Sequence, residues 1–289
     1  MNVSSSSAQG IGMQDQPQSV IANRHERSAD LSIAEQLRSE ICCSCQLSFL
    51  MEAHDGLSAA IAERAGFKGL WASGLSIACS LGYRDGNEAS WSQLADSVER
   101  IVASTQFPVL VDGDGGFGNF NNARLLARKL HQRGAAGVTL EDSCFPRMNL
   151  FVGDRHPLAD VDEICGRLRA VKDALAENFV LVARIEAPIG GKGMDEAIMR
   201  AHAYADAGTD AILIHSRMSA ADEVLAFARV AEQITGRNRS YEILPNISFC
   251  VSLSAHLHGD LGQSLDATGN SGDAPILSSN YDRREHCEH

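Results

Sequence analysis

Six times between Ser48 and Ser216 a short apolar run, rich in β-branched residues, alternates with a stretch whose apolar residues recur three and four apart. The runs are SFLMEAHDG, KGLWASGLS, PVLV, GVTL, FVLVARIEA and AILIHS, and the helical stretches after them begin at Gly56, Trp91, Asn122, Asp162, Met194 and Ala221. A further helical stretch, SIAEQLRSEI, precedes the first run. No antiparallel hairpin signal interrupts the cycle, which repeats at roughly 30-residue intervals and so predicts parallel strands joined by crossover helices. A (β/α)8 TIM-type barrel fits this pattern. An open doubly wound sheet shares it, because strand order is not written in local periodicity. A weak seventh strand is expected at Tyr241–Asn246, and past Ile247 no strand followed by an amphipathic helix is readable, so closure at the C-terminal end is not evident.

The strand ends carry the chemistry. PVLV runs into Asp112-Gly113-Asp114-Gly115-Gly116, and GVTL into Glu141-Asp142. Carboxylates at the C-terminal ends of two successive buried parallel strands read as site groups, and a lone Asp-Gly-Asp reads as turn chemistry. Hard oxygen donors of this kind suit Mg²⁺ or Mn²⁺. The other exits supply Glu52, His54 and Asp55; Trp71, Ser73, Gly74 and Leu75; Arg184 and Glu186; His215 and Ser216. Arg184 sits inside an apolar strand, where a guanidinium requires a carboxylate or an anionic ligand; Glu186, two residues on, is its structural alternative. His215 reads either as a core histidine or as a ligand or acid at the site, and Lys192 in IGGKG as solvated.

Composition narrows the partners. The chain has 289 residues, 44% of them hydrophobic, and a net charge of -12. That is enough apolar matter for one large core, and the acidic balance disfavours nucleic acid and anionic membranes. No apolar run approaches the ~18 residues of a membrane span, and the polar start lacks the basic and apolar parts of a secretory signal, which makes a cytoplasmic location the expectation. Three regions are expected: a disordered arm over residues 1–30, a barrel domain over 31–247 and an atypical segment over 248–289. The eight cysteines form one cluster, Cys42, Cys43 and Cys45, without a second ligand pair, so free thiols are expected. No P-loop and no GxGxxG after a strand is present, which argues against a nucleotide substrate.

The stretches FLMEAHDGLSA, GFKGLWASGLSI, GYRDGNEASW, VDGDGGFGNFNNAR, LEDSCFPRMN, VARIEAPIGGKGMDEA and AYADAGTDAILIHS, in this order, closely resemble the phosphoenolpyruvate mutase and isocitrate lyase superfamily, above all its mutase members. The resemblance runs from about Phe49 to Arg217. It implies a barrel whose Mg²⁺ is held directly by Asp114 and through water by Asp112 and Glu141. It implies a pocket for a small anionic substrate, phosphoenolpyruvate or phosphonopyruvate, formed by Trp71, Ser73, Gly74, Leu75, Arg184, His215 and Ser216. Asp85 is implied near the reacting end and Asn149 in a gate that steers the phosphoryl group, which makes Asp85, Asn149, Arg184 and His215 the implied catalytic set. A homodimer or homotetramer is implied as well. The chain departs from the usual EDKxFPKTNS at Ser143, Arg147, Met148 and Leu150, and from the usual DTG at Gly115. Phosphonopyruvate hydrolysis, or carbon–carbon cleavage of a 2-hydroxy or oxo diacid, are the alternative reactions on the same barrel; a non-catalytic anion-binding barrel is the alternative to an enzyme. The thiol motif of the isocitrate lyases, KKCGH, is absent.

Overall fold

The computed structural model describes residues 31–41, 48–146, 157–216, 218 and 222–235. The expected N-terminal arm, Cys42, Cys43 and Cys45, Asn149 with most of its gate, the seventh strand and the C-terminal segment lie outside the described residues. Strands β1 (Met51–Ala53), β2 (Leu70–Ala72), β3 (Val109–Asp112), β4 (Gly137–Glu141), β5 (Val180–Ile185) and β6 (Ala211–Ile214) pair in sequence order, every pairing parallel. No strand order reverses among them, so the open doubly wound alternative, which needs a switch point, is excluded over these six.

Alternation sorts the strand side chains into two layers. Leu70, Val109, Val111, Val138, Leu140, Leu181, Ala183 and Ile185 face outward and pack on the crossover helices. Those helices are α2 (Gly56–Arg64), α4 (Trp91–Val102), α5 (Phe120–Gln132), α6 (Val161–Leu175), α7 (Gly193–Asp206) and α8 (Asp222–Thr235). Asp55, Ser90, Asn119 and Asp160 cap four of them, each side chain accepting from a backbone N–H of the first turn. Asp55, a candidate at a strand exit, is thereby a cap. One element escaped the sequence reading: α3 (Gly74–Ser80) begins in the strand exit that closes KGLWASGLS, its seven residues too few to show a helical period.

Trp71, Leu110, Val180, Val182 and Leu213 face inward, and α1 (Ile33–Ile41) packs against them through Ala34, Leu37 and Ile41, one helical stripe. Beside it Arg38 pairs with Asp210 at 3.2 Å, and Asp210 also binds Lys172 and the N–H of Leu181. This helix therefore stops the end of the sheet opposite the carboxylates.

Asp142 follows the inward Glu141 and so points outward, where it is completely buried. Its carboxylate accepts from the Glu186 N–H at 2.8 Å, the Tyr204 hydroxyl at 2.9 Å and Arg200 Nη1 at 3.1 Å, and its carbonyl accepts from the Ala159 N–H at 2.8 Å. The end of β5 and the return of the loop after β4, where Ser143 bridges Leu158, are thus fixed to α7 through one residue. Burial pushes the Asp142 carboxyl up to about 6, against the donation from Glu186 and the charge of Arg200.

Leu37 is fully buried, and Leu37→Ala should lower unfolding stability by about 3 kcal/mol in urea titrations, the usual range for a leucine deleted from a packed core. Because the folded value of Asp142 stands above its ordinary 3.8, folding favours its protonated form. The stability it contributes is complete below the ordinary value and is lost as the pH rises through the folded one. Relative to Asp142→Asn, which does not titrate, the wild-type chain should lose on the order of 3 kcal/mol between roughly pH 4 and pH 7 and change little above that.

Candidate active site

Three strand ends bring their acids to one guanidinium. Glu141 and Arg184 are register partners on β4 and β5, and Asp112 ends β3. Arg184 Nη1 donates to Asp112 Oδ2 at 3.0 Å, Nη2 donates to Glu141 Oε2, and Nε lies 2.8 Å from Glu186 Oε1 without hydrogen-bond alignment. All four residues are buried. Burial alone would lower the guanidinium's affinity for its proton, but the charges of Asp112, Glu141 and Glu186 overcome it and raise the group well above its ordinary value. The Arg184–Glu186 pair foreseen from their two-residue spacing is present, with two more carboxylates added to it.

Glu186 meets His215 on its other side, with Nδ1 2.9 and 3.0 Å from the two carboxylate oxygens. Burial raises the Glu186 carboxyl, but His215 first and Arg184 second outweigh it and hold the group below the usual carboxylate value. Ser143, standing in the loop after β4, donates its hydroxyl to Glu141 Oε1.

Asp114 occupies the glycine-rich turn with a left-handed backbone, φ 45°, uncommon for a residue with a side chain. The turn is stitched to β4: Gly113 N–H donates to Thr139 O, and Glu141 N–H to Asp114 O, both at 2.9 Å. Gly113 is required there, since a Cβ would lie 2.7 Å from Val138 Cγ2 and 3.0 Å from Thr139 O. Asp114 N–H donates to Asp112 Oδ1 at 3.2 Å, and Asn87 Nδ2 donates to Asp114 Oδ2 at 2.8 Å.

The remaining candidates surround this centre unevenly. Trp71 faces the interior, and Ser73 caps α3 by accepting from the Ser76 N–H at 3.4 Å. Gly74 brings its backbone against Asp112, whose carboxylate a Cβ would meet at about 3.5 Å. Leu75 is half-buried behind it. Asp85 lines an open cavity with Asn87 and Asp114. Ser216 donates to Glu223 and accepts from the Met218 N–H, so its hydroxyl is engaged at the start of α8. Lys192 is exposed, as the sequence suggested, and Cys79, Cys144 and Cys165 are free thiols. Asp142, read together with Glu141 as a site group, instead points out of the sheet and holds the frame, as alternation after Glu141 dictates. Asn87, Arg200 and Tyr204 went unnoticed as site-building residues, since nothing local marks them.

A divalent cation fits this donor set. Asp112, Glu141 and Glu186 are three buried carboxylates gathered around one buried guanidinium, and Asp114, buried as well, is tied to Asp112 through its N–H, a negative excess made of hard oxygens. Among the described residues no three acidic, histidine or cysteine side chains are placed to ligate one ion together.

The comparisons agree with the geometry. A model of the family described as phosphoenolpyruvate phosphomutase matches residues 37–237. The phosphoenolpyruvate phosphomutase of Tetrahymena pyriformis is 50% identical over 188 residues, 64% of this chain and 63% of that protein. The chain spans roughly three fifths of the length of the curated relatives it matches, 63%, 58% and 59% for three phosphoenolpyruvate phosphomutases. The crystal structure of the phosphoenolpyruvate phosphomutase from Streptomyces platensis subsp. rosaceus superposes with a TM-score of 0.69 at 36% identity, over 81% of this chain and 84% of that one. A phosphonopyruvate hydrolase in complex with oxalate and Mg²⁺ superposes with a TM-score of 0.63 at 36% identity, over 69% and 68% of the two chains. Among the described residues no helix is long and apolar enough to cross a membrane. With the parallel sheet, the acid-bearing strand ends and the family match in place, the chain belongs to the phosphoenolpyruvate phosphomutase family and takes its TIM-type barrel fold.

Proposed function

We propose that the chain interconverts phosphoenolpyruvate and phosphonopyruvate with Mg²⁺ as cofactor, moving a phosphoryl group from the enol oxygen to the methylene carbon. The observation that carries the reading is the convergence of Asp112, Glu141 and Glu186 on Arg184 beside Asp114, in a chain 50% identical over 188 residues to a named phosphomutase. Mg²⁺, when bound, supplies positive charge toward the enolate and carboxylate oxygens. Asp114 would hold it directly, since a neutral amide orients its carboxylate; Asp112 and Glu141, already paired with Arg184, would act through water.

The transfer breaks one P–O bond and forms one P–C bond, consumes no water and leaves the proton count unchanged. A loose phosphoryl transition state needs charge and position more than covalent help. Arg184, fixed by its carboxylates, would place its guanidinium toward the migrating group, together with His215 and Asn149. With Nδ1 of His215 committed to Glu186, Nε2 is the nitrogen left for the phosphoryl oxygens. Trp71, Ser73, Gly74 and Leu75 would seat the pyruvate end, and Asp85 and Ser216 would complete the wall.

Phosphorus NMR of the protein given phosphonopyruvate and Mg²⁺ should show phosphoenolpyruvate growing in; inorganic phosphate in its place would make the reaction a hydrolysis. Asp114→Ala should be inactive at any reachable Mg²⁺ concentration, whereas Asp112→Ala and Glu141→Gln should lose about 10- to 100-fold in apparent metal affinity and regain activity as metal is added. Near-normal metal affinity in Asp114→Ala would reverse the assignment.

A further inference from the structure

Asn87 lies between α3 and α4 in a turn that is built rather than loose. Tyr83 N–H donates to Ala78 O at 2.9 Å, and the Tyr83 hydroxyl accepts from Gln93 Nε2 at 3.0 Å. Arg84 closes the turn on Glu88, its N–H donating to Oε2 at 2.9 Å and its Nε to Oε1 at 2.7 Å. Within it Asn87 takes φ 59°, left-handed like Asp114 with its φ 45°. Both ends of the 2.8 Å hydrogen bond from Asn87 Nδ2 to Asp114 Oδ2 therefore stand in a conformation that residues with side chains seldom adopt. Asparagine is among the residues that best tolerate it. Two uncommon backbones facing each other across one hydrogen bond are over-determined by their surroundings, as happens where a side chain must be aimed.

The chemistry of the donor matters as much as its place. Arg184 offsets part of the charge of the carboxylates it meets, whereas the Asn87 amide is uncharged, so it fixes the orientation of Asp114 without cancelling its charge. The turn also walls an open cleft that reaches Asp114 and is lined by Gly74, Ile77, Asp85, Asn87 and Phe117.

We propose that Asn87 is a positioning residue for the carboxylate of Asp114, and that through this hydrogen bond the turn from Tyr83 to Ala89 and the metal stabilise one another. The proposal rests on the reading of Asp114 as the direct ligand of Mg²⁺. Linkage makes the coupling reciprocal: a turn that favours metal binding is itself held more tightly when metal binds.

Isothermal titration of Mg²⁺ into the wild-type protein and into Asn87→Gly tests it, since glycine keeps the left-handed backbone and removes only the amide. Affinity should fall about 10- to 100-fold, the usual cost of losing a partner that orients a ligand, and kcat should return toward wild type at saturating Mg²⁺. Hydrogen exchange of the unmodified protein supplies the second readout: Mg²⁺ should slow exchange of the backbone amides from Tyr83 to Ala89. Equal affinity in wild type and Asn87→Gly, or exchange in that turn indifferent to Mg²⁺, overturns the proposal while leaving the metal site standing. Wild-type protein that takes up no Mg²⁺ overturns the metal site and the proposal together.

Discussion

The buried guanidinium of Arg184 is the interaction on which the acid-bearing end of the sheet depends. β3, β4 and β5 each deliver a carboxylate to one small volume, and adjacent parallel strands leave those groups no room to separate. Without a cation, the repulsion and the desolvation of three buried charges would fall on the folded state alone, at several kcal/mol per ion. Arg184 meets all three with one planar, permanently charged fork, which a lysine ammonium could not do from the same strand position. The cluster so formed still carries more negative than positive charge. The arrangement that lets the strands converge is thus also the one that attracts a divalent metal.

Much of this was readable in advance because it follows from alternation and spacing. The period-two pattern of FVLVARIEA puts Arg184 and Glu186 on one face, and the repeat of strand and helix fixes the parallel class. The acidic strand ends were visible for the same reason. What escaped was tertiary. Whether Arg184 meets one carboxylate or three depends on the register between β3, β4 and β5, which no single strand encodes. α3 was missed because seven residues beginning with glycine and stabilised by a Ser73 cap carry too little periodicity to be told from a turn. Asn87 hid in a loop, since its hydrogen bond spans 27 positions of sequence.

Two kinds of support surround the centre and behave differently. On the inner side the supports are charges, and they set the electrostatic balance that a metal and an anionic substrate would meet. Outside the sheet the support from Asp142, Arg200 and Tyr204 sets geometry: it fixes where β5 ends and where the chain returns after β4. Tyr204 remains a neutral donor there, because burial and the charge of Asp142 both raise its hydroxyl far above its ordinary value.

The helix that stops the bottom of the sheet has a kinetic consequence. α1 is the first described element of the chain, yet its stripe of Ala34, Leu37 and Ile41 rests partly on β5 and β6, and Arg38 reaches Asp210 across 172 positions. On the ribosome this helix emerges long before the surface it covers exists, and alone its nine residues are too few to persist. Its apolar face must therefore wait, exposed, until the sixth strand is made. Contacts of such separation slow folding, because chain entropy is lost before they form. Seating of α1 is then a late step of folding, set by the appearance of β5 and β6 more than by the helical strength of its own segment.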